Sequence, residues 1–215
     1  MCGICGELRL DGGVPDLSHI GRMMELLARR GPDHDGSHSD GPVALGHRRL
    51  SIIDLSNRSN QPLVDEELGL VLVFNGTIYN YPELREQLTA RGYRFFTGGD
   101  SEVILKAYAE WGADCPQYLH GMFALAIWDT RRQSLFLARD RFGITSATIA
   151  DATAHSPPTP MARRASSCFS IAASSTRVNP RRRTAPITAC GSRNNRPIAS
   201  IPVAASRFSP LRQRS

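Results

Sequence analysis

The residue of most chemical consequence is the second one. Met1 precedes a small residue, Cys2, and removal of the initiator leaves one residue carrying both a thiol and a free α-amine, whose reference pKa is about 8. A thiolate is a strong nucleophile, and an amine of that pKa is a suitable base near neutrality, acting directly or through water. Attack on a carbonyl also needs donors for the oxyanion that develops. Asn75-Gly76 offers a side-chain amide and a backbone N–H, with no Cβ at Gly76 to hold substrate away. An amino-acid substrate needs a cation for its carboxylate and an anion for its ammonium. The planar fork of Arg49 suits the first, and Asp100, at a loop–helix junction, suits the second. Taken singly each has a plain reading: an incidental cysteine, an ordinary Asn-Gly turn, two surface charges.

The elements that must position these residues are legible over the first 145 positions. Ile4 to Leu10 alternates as a strand, and Asp16 can cap a helix to about Arg30, with Gly31 ending it. Val43–His47 and Leu50–Ile53 read as short buried strands, the second beside Arg49. Leu68–Phe74 is a strand broken by Asn75-Gly76. Pro82 suits the first turn of a helix through Arg91, Tyr93–Thr97 reads as a strand, and Ser101 caps a helix that Gly112 stops. Met122–Trp128 and Leu135–Ala138 form a hairpin. Strands with helices inserted between them, without strict alternation, suggest α+β layers.

Other chemistries find less support. Cys2-Gly3-Ile4-Cys5 matches C-x-x-C, but the strand before and helix after of a redox site are lacking, as is the second pair of a zinc site. No metal ligation is therefore expected. Gly98-Gly99 lacks the lysine and spacing of a phosphate loop. The sequence has no apolar run long enough to cross a membrane and no signal peptide, and its five unpatterned cysteines fit a reducing cytoplasm.

The composition breaks at about residue 145. Of 215 residues, 41% are hydrophobic and 21% charged, an ordinary globular average with a net charge of +6. Before the break, acids outnumber bases nineteen to fifteen; after it, eleven arginines face the single acid Asp151. The basic balance thus belongs to an Arg/Ser/Ala/Pro-rich segment, 146–215, with too few large apolar residues to bury a core. That segment is expected to be disordered. Its bias is what a GC-rich coding sequence gives when read out of frame. The competing reading is a non-catalytic remnant whose basic tail binds nucleic acid or anionic surfaces, but no aromatic platform or amphipathic helix accompanies the arginines.

The motifs of the first part occur in a telling order. Met-Cys-Gly-Ile at 1–4, Arg-Gly-Pro-Asp at 30–33, His-Arg-Arg-Leu-Ser-Ile-Ile-Asp at 47–54 and Gln-Pro at 61–62 come first. Asn-Gly-Thr-Ile-Tyr-Asn-Tyr at 75–81, Asp-Ser-Glu-Val-Ile-Leu at 100–105, Gly-Met-Phe-Ala at 121–124 and Arg-Asp-Arg-Phe-Gly-Ile at 139–144 follow. This closely resembles the glutaminase domain of class II glutamine amidotransferases of the asparagine synthetase type, almost continuously over 1–144. The resemblance implies a four-layer αββα sandwich of the N-terminal nucleophile hydrolase type, here without its last strands. It implies Cys2 as nucleophile, its α-amine as base, and Asn75 and Gly76 as oxyanion hole. It further implies Arg49 for the glutamine carboxylate, Asp100 for its ammonium, and the backbone of Leu50 and Ile52 lining the pocket.

Two departures stand out. The family motif usually reads Asn-Gly-Glu, whereas position 77 is Thr; a lost carboxylate weakens ammonium recognition only if the side chain takes part. Thr77, with the Cys-Gly-Glu-Leu-Arg opening and Phe95–Asp100, resembles a branch that amidates the dipeptide N-acetylglutaminylglutamine, so the acceptor is either aspartate or such a dipeptide. The second departure is that Ile144 leads into unfamiliar sequence where the family continues into Lys-Pro-Leu-Tyr-Tyr and an ATP-using synthetase domain. L-glutamine is the expected partner. ATP and Mg are expected only for that synthetase domain, and no cofactor is expected in this chain.

Overall fold

The computed structural model describes residues 2–145, 148–151, 166–171 and 198–202. Seven strands and three α-helices lie within the first 145 residues: β1 Gly3–Arg9, α1 Leu17–Leu27, β2 His34–Asp40, β3 Val43–Arg49, β4 Leu63–Asp65, β5 Leu70–Ile78, α2 Tyr81–Ala90, α3 Asp100–Trp111, β6 Gly121–Asp129 and β7 Ser134–Arg139. Three more strands follow, β8 Thr148–Asp151, β9 Ser166–Ile171 and β10 Ile198–Pro202. They form two five-stranded antiparallel sheets, ordered β2-β3-β1-β9-β8 and β10-β7-β6-β5-β4.

The strand period of two decides what each residue faces. Ile4 and Leu8 of β1 and Val43 and Leu45 of β3 meet Val71 and Val73 of β5 and Ala124, Ala126 and Trp128 of β6 in a layer between the sheets. The intervening Cys5 and Ala44 turn outward onto Ile20, Met24 and Leu27 of α1. Leu72, Phe74 and Ile78 of β5 face the other way, onto Leu84 and Leu88 of α2 and Val103, Ile104 and Ala107 of α3. The stacking is therefore helix, sheet, sheet, helix, an α+β sandwich of four layers. Trp128 Nε1–H ties the sheets by donating to Asp40 Oδ2 at 2.7 Å.

Several local expectations are corrected. Leu50–Ile53 is not a strand: the Arg49 guanidinium draws the carbonyls of Asp54 and Ser56 and the side chain of Asn60 around itself, curling the segment into a loop. Tyr93–Thr97 is also a loop. The Glu102 carboxylate takes the N–H groups of Phe96 and Thr97, and Arg85 takes the carbonyl of Thr97, so no ladder partner is left to find. The cap of α3 is Gly99, not Ser101, whose hydroxyl faces Gln61. The strand β2, His-Asp-Gly-Ser-His-Ser-Asp, carries no apolar signal and exists through its ladder with β3.

Beyond Ile144 the sequence offers no period, yet β9 pairs along β1 and β10 along β7, at positions expected to be empty. Main-chain hydrogen bonds to an open sheet edge need no side-chain pattern, so such strands leave no trace in hydropathy. The expectation of disorder for the rest of 146–215 lies outside the described residues.

Candidate active site

The centre of the site is the edge of β5. Leu72 pairs with Leu63, but β4 reaches no further along that edge. Phe74 N–H instead donates to Gln61 Oε1 at 2.6 Å, and Ile78 N–H to Asp100 Oδ2 at 3.1 Å. Because main-chain groups alternate sides along a strand, Gly76 N–H, halfway between, projects from the same unpaired edge. Glycine is required there by the opposite face: at φ +153° a Cβ would lie 2.2 Å from Met122 O of β6. Asn75 continues the inward row of Val71 and Val73. It is 1% exposed, and its Nδ2 has no hydrogen-bond partner. A buried amide donor without an acceptor is costly unless a ligand supplies one.

Cys2 precedes β1, and β1's pairing with β3 brings it beside Leu50. Leu50 N–H donates to Cys2 Sγ at 3.3 Å, and the thiol lies 3.6 Å from Leu50 O. Burial pushes the thiol pKa up, while the Leu50 N–H and the Arg49 charge pull it down. Arg30 Nε–H holds the Cys2 carbonyl at 3.3 Å. Cys5, three residues on, lies among the α1 contacts, and burial alone pushes its thiol up to about 12.

Arg49, the last residue of β3, is 5% exposed. Its Nη1 donates to Ser56 O at 3.0 Å and Asn60 Oδ1 at 2.6 Å, and its Nη2 to Asp54 O. Of its five N–H groups, Nε–H and one on Nη2 are left for a ligand. Asp100 opens α3, where the helix N-terminus favours an anion. Burial raises its pKa, opposed by the N–H groups of Ile78, Asp100 and Ser101. The loop before it is held by Arg85 on the carbonyls of Thr97 and Gly99, both at 2.9 Å, and by Asp54 Oδ2 on Gly98 N–H at 2.8 Å.

Cys2, Arg49, Leu50, Ile52, Asn75, Gly76, Thr77 and Asp100 all line one cavity of about 130 Å³. Ile52 sits on its rim, 72% exposed. Asp100 is the one carboxylate among the described lining residues, since position 77 is Thr. Gln61, Ser101 and Met122 also line it and were not singled out; the Gln-Pro motif at 61–62 was the available signal for the first. A larger cavity of about 370 Å³ lies across Met122, lined by Tyr79, Leu119 and Phe142 with Arg139 and Arg141, and no cysteine, serine or threonine is among its described lining residues. Among the described residues no group of three or more His, Cys, Asp or Glu could hold a metal ion, and no helix is long and apolar enough to cross a membrane.

Residues 1–154 match the sequence profile described as "Glutamine amidotransferase domain". The chain belongs to this glutamine amidotransferase family. Within it the domain is of the class II, asparagine synthetase type. Asparagine synthetase [glutamine-hydrolyzing] 1 of Bacillus subtilis is 47% identical over 147 residues, covering 67% of this chain and 23% of that protein. B. subtilis asparagine synthetase [glutamine-hydrolyzing] 3 is 39% identical over 147 residues, covering 67% and 24%. The corresponding enzyme 1 of Arabidopsis thaliana is 40% identical over 154 residues, covering 69% and 25%. The chain thus spans about a quarter of the length of these relatives. The structure of the glutamine phosphoribosylpyrophosphate amidotransferase from B. subtilis superposes with a TM-score of 0.59 at 19% identity, over 79% of this chain and 41% of that one. That likeness is one of fold.

Next to the site, this amidotransferase domain buries a histidine that must stay neutral. His47 is 0% exposed and lies 3.2 Å, through Nε2, from Phe74 O. A carbonyl only accepts, so Nε2 carries the proton, and the unpartnered Nδ1 is bare. Burial, together with Arg49 and His34, pushes its pKa from 6.5 down to about 3, the Phe74 hydrogen bond partly opposing them. The native state therefore refuses a proton that the unfolded chain accepts below about pH 6.5. Stability should fall as pH drops from 6.5 towards 3, by about 1.4 kcal/mol per unit from this group. Urea unfolding at pH 7.5 and 5 measures the slope, and His47→Gln should flatten it. An unchanged slope in the variant would assign the acid sensitivity elsewhere.

Proposed function

We propose that this domain hydrolyses the side-chain amide of L-glutamine to glutamate and ammonia through a glutamyl thioester on Cys2. Once Met1 is removed, the α-amine of Cys2 takes the thiol proton, and Sγ, steadied by Leu50 N–H, attacks the Cδ carbonyl. The oxyanion accepts from Asn75 Nδ2–H and Gly76 N–H. The protonated amine then gives its proton to the departing nitrogen, releasing ammonia, and water attacks the thioester to release glutamate. The free N–H groups of Arg49 take the substrate carboxylate and Asp100 its ammonium, while Leu50, Ile52 and Thr77 close the pocket. The observation that carries the reading is the buried, unpartnered Asn75 Nδ2 in the same cavity as the Cys2 thiol.

The names of the relatives, glutamine-hydrolysing asparagine synthetases, support delivery of this ammonia to an amidation that makes asparagine from aspartate. The resemblance carried by Thr77 and Phe95–Asp100 makes a dipeptide such as N-acetylglutaminylglutamine the alternative acceptor, with ATP and Mg expected for the synthetase domain alone. The direct test is ammonia and glutamate release from glutamine, with asparagine as control substrate. Equimolar release from glutamine alone is expected; none, in a folded chain, would overturn the reading.

In this proposal the in-frame glutaminase unit ends near residue 145 and the arginine-rich remainder, strands β8–β10 with it, is read out of frame, against a family match that runs on to residue 154. Support comes from the change of composition at that point, and from Lys106 being the single lysine among 26 basic residues, as in a GC-rich genome. Resequencing codons 135–160 and onward to a stop should restore Lys-Pro-Leu-Tyr-Tyr-like sequence. The same frame read back would refute it.

A further inference from the structure

We propose that Gln61 is a positioning residue for this site, acting as the missing strand partner of β5 and joining the oxyanion donors to the helix that carries Asp100. The proposal rests on the glutaminase reading above. Gln61 is 6% exposed and lies two residues before the short β4, with Pro62 between them. Its backbone is wedged against β2, where a Cβ at Gly36 would meet Gln61 O at 2.4 Å. Its side-chain amide uses both ends. Oε1 accepts Phe74 N–H at 2.6 Å, and Nε2–H donates to Ser101 Oγ at 3.2 Å.

Phe74 is where β5 has lost β4, and it lines the cavity next to Asn75. Both of its main-chain groups on the open edge are held by side chains, the N–H by Gln61 and the C=O near His47. The direction of the next group on that edge, Gly76 N–H, depends on this peptide staying extended. Without an acceptor the buried Phe74 N–H would turn in search of one, and a donor turned from its aim stabilises an oxyanion poorly. The other arm reaches the residue after Asp100, so the two ends of a bound glutamine are registered through one amide.

Gln61→Met keeps length and shape but removes both strong hydrogen bonds. It is expected to lower kcat for glutamine hydrolysis by about tenfold or more, in the full chain. Alkylation of Cys2 by iodoacetamide, which develops no oxyanion, is expected to stay within about twofold of wild type. Gln61→Glu keeps an acceptor for Phe74 N–H and can take the Ser101 hydroxyl as donor, and should recover kcat to within about threefold. Ser101→Ala frees one arm only and should raise KM about threefold with kcat little changed. An unchanged kcat per alkylatable Cys2 in Gln61→Met overturns the proposal, as does equal loss of kcat and alkylation in both Gln61 variants, which marks a purely structural role. If Gln61→Met does not fold, loss of kcat in Gln61→Glu or an unmoved KM in Ser101→Ala decides against it. A wild-type chain inert towards glutamine overturns the underlying reading instead, and the proposal with it.

Discussion

Replacing Cys2 by alanine is expected to reduce glutamine hydrolysis by at least about a thousandfold while leaving the fold intact. The size follows from what is removed. Without the thiolate no covalent intermediate forms, and what remains is water attack assisted by the oxyanion donors and by binding. The fold is spared because the Cys2 thiol touches only the Leu50 backbone among its hydrogen-bond partners, so the stability change should stay within about 0.5 kcal/mol. Cys2→Ser should be almost as inactive, since a hydroxyl yields its proton far less readily to an amine of pKa about 8. A chain that retains Met1 should lose activity as well, because the base then sits one residue away from the nucleophile. Ammonia release measured beside thermal unfolding separates these outcomes. Equal rates in wild type and Cys2→Ala would remove Cys2 from the reaction.

Asn75→Ala should cost about a hundredfold to a thousandfold in kcat, or roughly 3–4 kcal/mol of transition-state stabilisation, with KM nearly unchanged. Asn75 Nδ2 has no partner in the resting domain, so its truncation breaks no hydrogen bond of that donor. The loss should appear only when negative charge develops on the substrate oxygen. A rise in KM with kcat preserved would instead make Asn75 a ground-state binding group. Gly76 does not permit the same experiment. Any side chain there meets Met122 O at 2.2 Å, so Gly76→Ala reports on the strand pair rather than on chemistry.

The sequence and the structure part company where side chains replace the backbone ladder. Strand β5 was legible to Phe74 and no further, because Asn-Gly is a turn signal wherever the chain is free to reverse. Here β6 runs alongside through Gly121, opposite Ile78, and that partner keeps Asn75 and Gly76 extended. The loops at 50–60 and 93–99 contain apolar residues that mimic strands. What shapes them is three charged groups, Arg49, Arg85 and Glu102, gathering main-chain atoms from a distance that no local pattern records. Gln61 is legible in the sequence only as part of the Gln-Pro motif, since a polar residue in a Pro-containing loop gives no hint that its amide spans two layers. Ser101 looked like a cap because serine before a helix usually is one; its hydroxyl faces Gln61 instead, and Gly99 takes the cap.

Arg49 illustrates how a residue singled out for binding can carry a second task. Its sequence context offers a free fork for a carboxylate. In the folded domain Nη1 is committed to Ser56 O and Asn60 Oδ1, and part of Nη2 to Asp54 O. In the proposed binding mode the side of the guanidinium bearing Nε is left for substrate, and the loop that Arg49 gathers also brings Ile52 to the rim. A single positive charge thus shapes the wall of the cavity as well as offering its cation.

The central claim is a covalent glutamyl group on an N-terminal Cys2. The most direct measurement is acid quenching of the domain during turnover with glutamine, followed by mass spectrometry of the N-terminal peptide. The account predicts a peptide that begins at Cys2, with Met1 gone, and a fraction of it heavier by one glutamyl group that hydroxylamine removes. A peptide that still begins with Met1, or glutamine turnover with no adduct on Cys2 at any quench time, would contradict it.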